Sequence, residues 1–299
     1  MEFGHVSDEE LKTIDFKLPA DSKFTIETLK SSNSDSDFKV NVGLSKWQHK
    51  SWIGTLFPPK LDEKQFLSQY AKHYDTIEFN ATFYTIYKEE EVRKWTDRVI
   101  ENPEFTFCPK FVQQITHLRR FKNVEEATTK FYDELRGFGG HQGPAFIQVG
   151  DNFTYKSLND LTSYLRSLPK EPKLFLEVRH KDWFSDTANR SKILNALKEL
   201  GIGTVINDSA GRRDCVHMEL TIPEVMIRFI ANNKHPSDYA RLDSWVDRLR
   251  SWKEKGLKSV WFFLHCYDET FAPELSVYLI NKLNAELGTT IKVPQLLDR

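Results

Sequence analysis

Eight short apolar runs of strand length recur along the chain, at Lys39–Leu44, Thr76–Phe79, Phe105–Cys108, Ala145–Val149, Leu174–Val178, Gly203–Ile206, Val225–Phe229 and Ser259–Leu264. Between them, apolar residues return every three to four positions over 61–74, 89–100, 124–138, 158–168, 191–200, 242–255 and 273–287. That period predicts amphipathic helices. The stretch Ala210–Thr221 lacks it, and its glycine and paired arginines read as a loop. Alternating strands and helices make βαβ units and a parallel sheet. Eight such units favour closure into a single (β/α)8 TIM barrel, an α/β fold. An open, doubly wound dinucleotide-binding sheet would more often carry GxGxxG after its first strand, and none is present.

The first 37 residues are polar and end in the Ser/Asp-rich run Ser31–Asp37. This predicts an N-terminal extension and linker over 1–37, ahead of a barrel domain over 38–299. A short helix around Asp8–Ile14 is compatible with the pattern, and the composition favours a loosely docked arm.

Side chains alternate faces along a strand, so one face of each barrel strand meets helices and the other fills the interior. If the aliphatic and aromatic positions face the helices, Asn41, Gly43 and Ser45 of the first strand point inward. So do Thr76, Glu78 and Asn80 of the second, and Thr106, Cys108 and Lys110 of the third. Gln148 follows from the fourth, Phe175, Glu177 and Arg179 from the fifth, and Arg228 from the seventh. Asp208 and His265 follow strands six and eight. Each strand thus carries a polar residue near its C-terminal end, where barrel enzymes build active sites. Buried charges need partners or ligands, so Glu78, Glu177, Asp208, Lys110, Arg179 and Arg228 are expected to form a network, a site, or both.

Composition narrows the reading. The formal net charge is -1 over 299 residues, which lends no support to nucleic-acid binding through a global basic face. The three cysteines are far apart, so neither a disulfide framework nor a Cys-rich zinc site is expected. No apolar stretch is long enough to span a membrane. The acidic N-terminus lacks a secretory h-region, and a cytoplasmic location is the default expectation.

Several motifs carry a family likeness. Trp47-Gln48-His49-Lys50-Ser51-Trp52-Ile53-Gly54 with Phe57-Pro58 forms a first segment. Thr76–Tyr84, reading TIEFNATFY, is the second, and Lys110 with Ile115-Thr116-His117 is the third. Leu176-Glu177-Val178-Arg179-His180 with Trp183-Phe184 is the fourth. On these the chain resembles the DUF72 (YecE-like) family of uncharacterised barrel proteins, from about Val40 to Leu287. The resemblance implies a barrel and no established reaction. Val149-Gly150, Ile230-Ala231 and Leu264-His265-Cys266 depart from the family pattern, all at strand ends.

The candidate chemistry follows from residue type. Glu78 and Glu177 are acid/base candidates, with Asp208 and His180 as further catalytic candidates. Lys110, Arg179 and Arg228 form a candidate clamp for an anion. Asn80, Gln148, Trp47, Tyr84 and His265 are candidate substrate contacts. The competing reading is a buried ion-pair network that only balances charge. A divalent metal held by Glu177, His180 and Asp208 is an alternative without a spaced ligand motif, so no metal ligand and no cofactor is assigned. The expectation is an enzyme (hydrolase, isomerase or lyase) acting on a small anionic or polyhydroxylated substrate. The alternatives are a non-enzymatic barrel that binds a ligand or nucleic acid, and a metal-dependent isomerase- or phosphodiesterase-like barrel.

Overall fold

A computed structural model describes residues 3–32 and 38–297. Its strands are β1 (Lys39–Leu44), β2 (Thr76–Phe79), β3 (Thr106–Pro109), β4 (Ala145–Gln148), β5 (Leu174–Glu177), β6 (Gly203–Asp208), β7 (Glu224–Ala231) and β8 (Ser259–Cys266). They form one parallel sheet in the order β3-β2-β1-β8-β7-β6-β5-β4. Between β3 and β4 the Gly143 amide donates to Phe107 O at 2.8 Å and the Phe111 amide to Phe146 O at 2.9 Å. The sheet is therefore a nearly closed barrel, as the alternating pattern predicts. β6, β7 and β8 run past their apolar runs, to Asp208, Ala231 and Cys266.

The helices are α1 (Asp8–Leu11), α2 (Lys23–Lys30), α3 (Phe66–Tyr70), α4 (Ala81–Tyr84), α5 (Glu89–Thr96), α6 (Glu125–Arg136), α7 (Leu158–Ser167), α8 (Asp182–Ser185), α9 (Thr187–Leu200), α10 (Pro236–Glu254) and α11 (Ala272–Leu287). Among the described residues none is long and apolar enough to cross a membrane. The three cysteines are free and buried.

Two apolar clusters separate along the strand faces. Val42, Leu44, Ile77, Phe79, Phe107, Ile147, Leu176, Ile206, Ile227, Phe229, Phe262 and Leu264 pack outward against the helices. Cys108, Phe146, Phe175, Val205, Met226 and Phe263 form a separate plug inside the barrel. Gly203 makes room for it, since a Cβ there would lie 2.3 Å from the Phe175 ring. The alternation inferred from sequence is the observed one, and the polar residues one repeat further along each strand sit above this plug.

The N-terminal segment corrects the expectation of a loosely docked arm. No α-helix lies between β6 and β7 among the described residues; a 3-10 turn, Ala210–Cys215, stands there. The wall beside it is completed by α2. Thr25 Oγ1 donates to Met218 O at 2.7 Å and accepts from the Leu220 amide at 2.8 Å. Asp21, just ahead of α2, accepts from Arg248 at 2.7 Å and from the Trp252 indole at 2.9 Å, both on α10. Lys198 of α9 lies over the Phe24 ring, and Leu29 is fully buried. Composition hid this docking because hydroxyls and a carboxylate carry much of it, and Leu29 and Phe24 alone do not mark an apolar stripe. Asn33–Asp37 of the expected linker lie outside the described residues.

Candidate functional site at the barrel mouth

β2, β4, β5, β7 and β8 each deliver one polar side chain to the layer above the apolar plug. Arg228 lies at its centre, fully buried. It donates Nε and Nη2 to the two oxygens of Glu78, at 2.8 Å each, and Nη1 to Glu177 Oε2 at 2.7 Å. Arg179 donates Nε to Glu177 Oε1 at 2.6 Å. Burial alone would raise both carboxyls. Arg228 and His265 instead hold Glu78 well below the usual carboxylate range, and Arg179 and Arg228 hold Glu177 at about 2. The two glutamates are therefore carboxylates at neutral pH, with their lone pairs engaged. The expectation that they trade protons as an acid/base pair meets this obstacle: a bidentate pair with Arg228 fixes Glu78 as an acceptor, and single bonds from Arg179 and Arg228 do the same for Glu177.

Gln148 Oε1 collects the remaining cations. It accepts from Lys110 Nζ at 2.8 Å and from Arg179 Nη2 at 2.9 Å, with Arg228 Nη1 at 3.4 Å. Lys110 also lies 4.0 Å above the Phe83 ring centre. Among the described residues no carboxylate comes within ion-pair distance of its Nζ. Burial, then the neighbouring Arg228, pushes the Lys110 pKa down to about 7.

His265 Nε2 lies 2.8 Å from Glu78 Oε2. The ionised Glu78 accepts this hydrogen bond from Nε2–H. Nδ1 is buried without a hydrogen-bond partner among the described residues. Asn80 donates to Glu78 Oε1 at 2.9 Å. The candidates Glu78, Asn80, Lys110, Gln148, Glu177, Arg179, Arg228 and His265 thus form one connected cluster.

The other candidates lie elsewhere. Asp208 is a correction: it points outward from β6, between barrel and helix. There it accepts from Arg241 at 2.8 Å and from the Trp245 indole at 2.7 Å, both on α10, and also pairs with Arg213. The inward polar residue of β6 is Asn207, which donates to Glu177 Oε1 at 3.3 Å. Sequence reading missed Asn207, since at the end of β6 two apolar residues precede two polar ones and no alternation marks the inward face. His180 pairs with Asp182 at 2.8 Å in the following loop, outside the cluster. Trp47 stacks on Phe79, which belongs to the outer core, and Tyr84 is 68% exposed at the rim. Glu177, His180 and Asp208 do not converge, and no group of three His, Cys, Asp or Glu side chains suited to a metal ion occurs among the described residues.

The N-terminal segment also reaches this mouth, which no sequence signal indicates. The Phe3 ring lies 3.9 Å from the Arg179 guanidinium and 4.9 Å from that of Arg212. Gly4 O accepts from the Gly211 amide at 2.9 Å, and the His5 ring meets Tyr267 edge-on at 4.4 Å. Gly4 has φ +73°, and a Cβ there would lie 2.6 Å from Ser209 Cβ, so the close approach requires glycine.

Comparison with known proteins agrees with this architecture. The family described as "Protein of unknown function DUF72" matches residues 41–296. The UPF0759 protein YecE of Escherichia coli (strain K12) is 27% identical over 277 residues, covering 86% of this chain and 98% of that protein. The UPF0759 protein YunF of Bacillus subtilis is 30% identical over 157 residues, covering 49% of this chain and 52% of that protein. A crystal structure of a DUF72 family protein from Thermotoga maritima superposes with a TM-score of 0.66 at 19% identity, covering 82% of this chain and 99% of that one. One from Enterococcus faecalis superposes with a TM-score of 0.63 at 18% identity, covering 83% and 98%. At these identities the two structures speak to the fold alone.

Proposed function

We propose, from the premise that the chain belongs to the DUF72 family of unknown function, that its barrel is an enzyme acting on a small anionic substrate at the mouth formed by Lys110, Gln148 and Arg179. One observation carries this reading. Three cationic side chains converge on the neutral Gln148 Oε1, while the carboxylates of Glu78 and Glu177 are already filled by arginine. The two arginines balance the two carboxylates, so Lys110 is the surplus basic group, and an anionic ligand would favour its charged form.

The parts divide as follows. Glu78 and Glu177 hold Arg228 and Arg179 in place and set the geometry. Arg179 Nη1 makes no hydrogen bond among the described residues; Asp151 lies 3.9 Å from it, and the Phe3 ring lies 3.9 Å from the guanidinium carbon. It is the guanidinium nitrogen with a donor to spare for a carboxylate or phosphate. Lys110 is the group that changes protonation state near neutrality, so it takes or returns the proton. His265 Nδ1, without a partner among the described residues, would hydrogen-bond a polar group of the substrate.

Calorimetric titration with oxalate and with inorganic phosphate at low ionic strength tests this. Binding by the native chain, weakened at least tenfold in Arg179→Gln, is the expected result. Absence of binding by either anion overturns the reading.

A further inference from the structure

We propose that Lys110 is a nucleophilic amine that forms an imine with a small carbonyl compound carrying an adjacent carboxylate. This rests on the anion-binding reading above and adds a covalent step to it.

Charge is shared unevenly in the cluster. Lys110 is only 7% exposed, yet its ε-nitrogen has a neutral amide oxygen and an aromatic face as neighbours rather than a counter-ion. The two carboxylates that would have neutralised it are taken. Arg228 occupies both oxygens of Glu78 and one of Glu177, and Arg179 occupies the other. A buried ammonium without a counter-ion is unfavourable, and the neutral amine avoids that cost. A pKa pushed down to about 7 accords with this geometry. A desolvated lysine beside other cations is how an amine is kept unprotonated for attack on a carbonyl.

The neighbours suit the substrate class. Gln148 Oε1 bonds both Lys110 and Arg179, which sets the amine beside the guanidinium. A carboxylate one bond from the carbonyl carbon would meet Arg179 while that carbon faces Nζ. In the first step the nitrogen lone pair forms the C–N bond, and the carbonyl π pair moves to oxygen. A proton passes from nitrogen to that oxygen, giving a carbinolamine. The hydroxyl then takes one further proton from solvent and leaves as water, and the nitrogen lone pair forms the C=N bond. The product is a protonated imine. No oxidant or reductant is consumed, and the neutral amine has become a cation beside Gln148, its charge offset by the substrate carboxylate.

The test is reductive trapping on the full chain. The protein is incubated with glyoxylate and sodium cyanoborohydride at pH 7, and its peptides are mapped by mass. Lys110 is expected to gain the carboxymethyl group at least tenfold faster than the exposed Lys12, and oxalate is expected to suppress that labelling alone. The Lys110 rate should level off above about pH 7. Lys110→Arg removes the mark, but the ratio within the native chain is decisive whether or not that variant folds. Labelling of Lys110 no faster than Lys12, with oxalate still binding by calorimetry, overturns the imine and leaves the anion site standing. Failure of both labelling and oxalate binding overturns both.

Discussion

Arg228 grips Glu78 with two parallel hydrogen bonds of 2.8 Å and so ties β7 to β2 across the barrel interior, although β1 and β8 separate those strands in the sheet. Its third bond, to Glu177, adds β5 to the same tie. One guanidinium thus fixes the spacing of three strands at the level where the site is built.

Removing that guanidinium leaves two carboxylates buried without their main partner. Arg228→Met is expected to lower stability by ~3–5 kcal/mol, the usual cost of breaking a buried pair by deleting one member. Urea denaturation measures it. A loss below about 1 kcal/mol would mean that the pairs are solvent-relaxed rather than buried.

Lys110 gives the barrel a pH signature of unusual sign. Its folded-state pKa is about 7 against an ordinary value of 10.5, so between those values the unfolded chain binds more protons at this residue. Stability from Lys110 should therefore rise with pH from about 7 towards 10.5, with a slope of at most about 1.4 kcal/mol per pH unit. Lys110→Met should flatten that part of the profile. Identical pH dependence in the two proteins would contradict the buried, unpaired amine.

Asp208 separates stability from ligand binding. It joins β6 to α10 through Arg241 and Trp245, away from the mouth. Asp208→Asn is expected to lower the melting temperature while leaving oxalate affinity within twofold of the native chain. Loss of affinity at unchanged melting temperature would put Asp208 back in the site.

How the sequence could mislead is plain at this residue. Strand parity worked where one face was apolar: Ile77 and Phe79 against Glu78, or Leu176 and Val178 against Glu177 and Arg179. At the end of β6, Asn207 and Asp208 are both polar and both buried, so the pattern offered no contrast to say which faced inward. His265 was legible only as the residue after the eighth apolar run; in the structure β8 continues through it in register with β7, opposite Ile230. The Arg228–Glu78 pairing was beyond reach for another reason. Parity tells which side chains share the interior, but not which cation takes which carboxylate, and that allocation is what leaves Lys110 over.

The N-terminal wall piece lies outside the family-matched residues 41–296, yet its removal should be felt by the whole barrel. Leu29 is fully buried on α2. Leu29→Ala is expected to destabilise the chain by ~2–5 kcal/mol, in the range of other core truncations. Thermal and urea unfolding should move together as a single transition. An unchanged midpoint would show the segment to be dispensable.

The seating of α2 has a consequence for how the protein is made. Thr25 meets Met218 across 193 residues, and Asp21 meets Trp252 across 231. At synthesis rates of ~5–20 residues per second, α2 exists for roughly 10–45 s before the surface it covers has been made. Its docking therefore follows the synthesis of the strands and helices it joins.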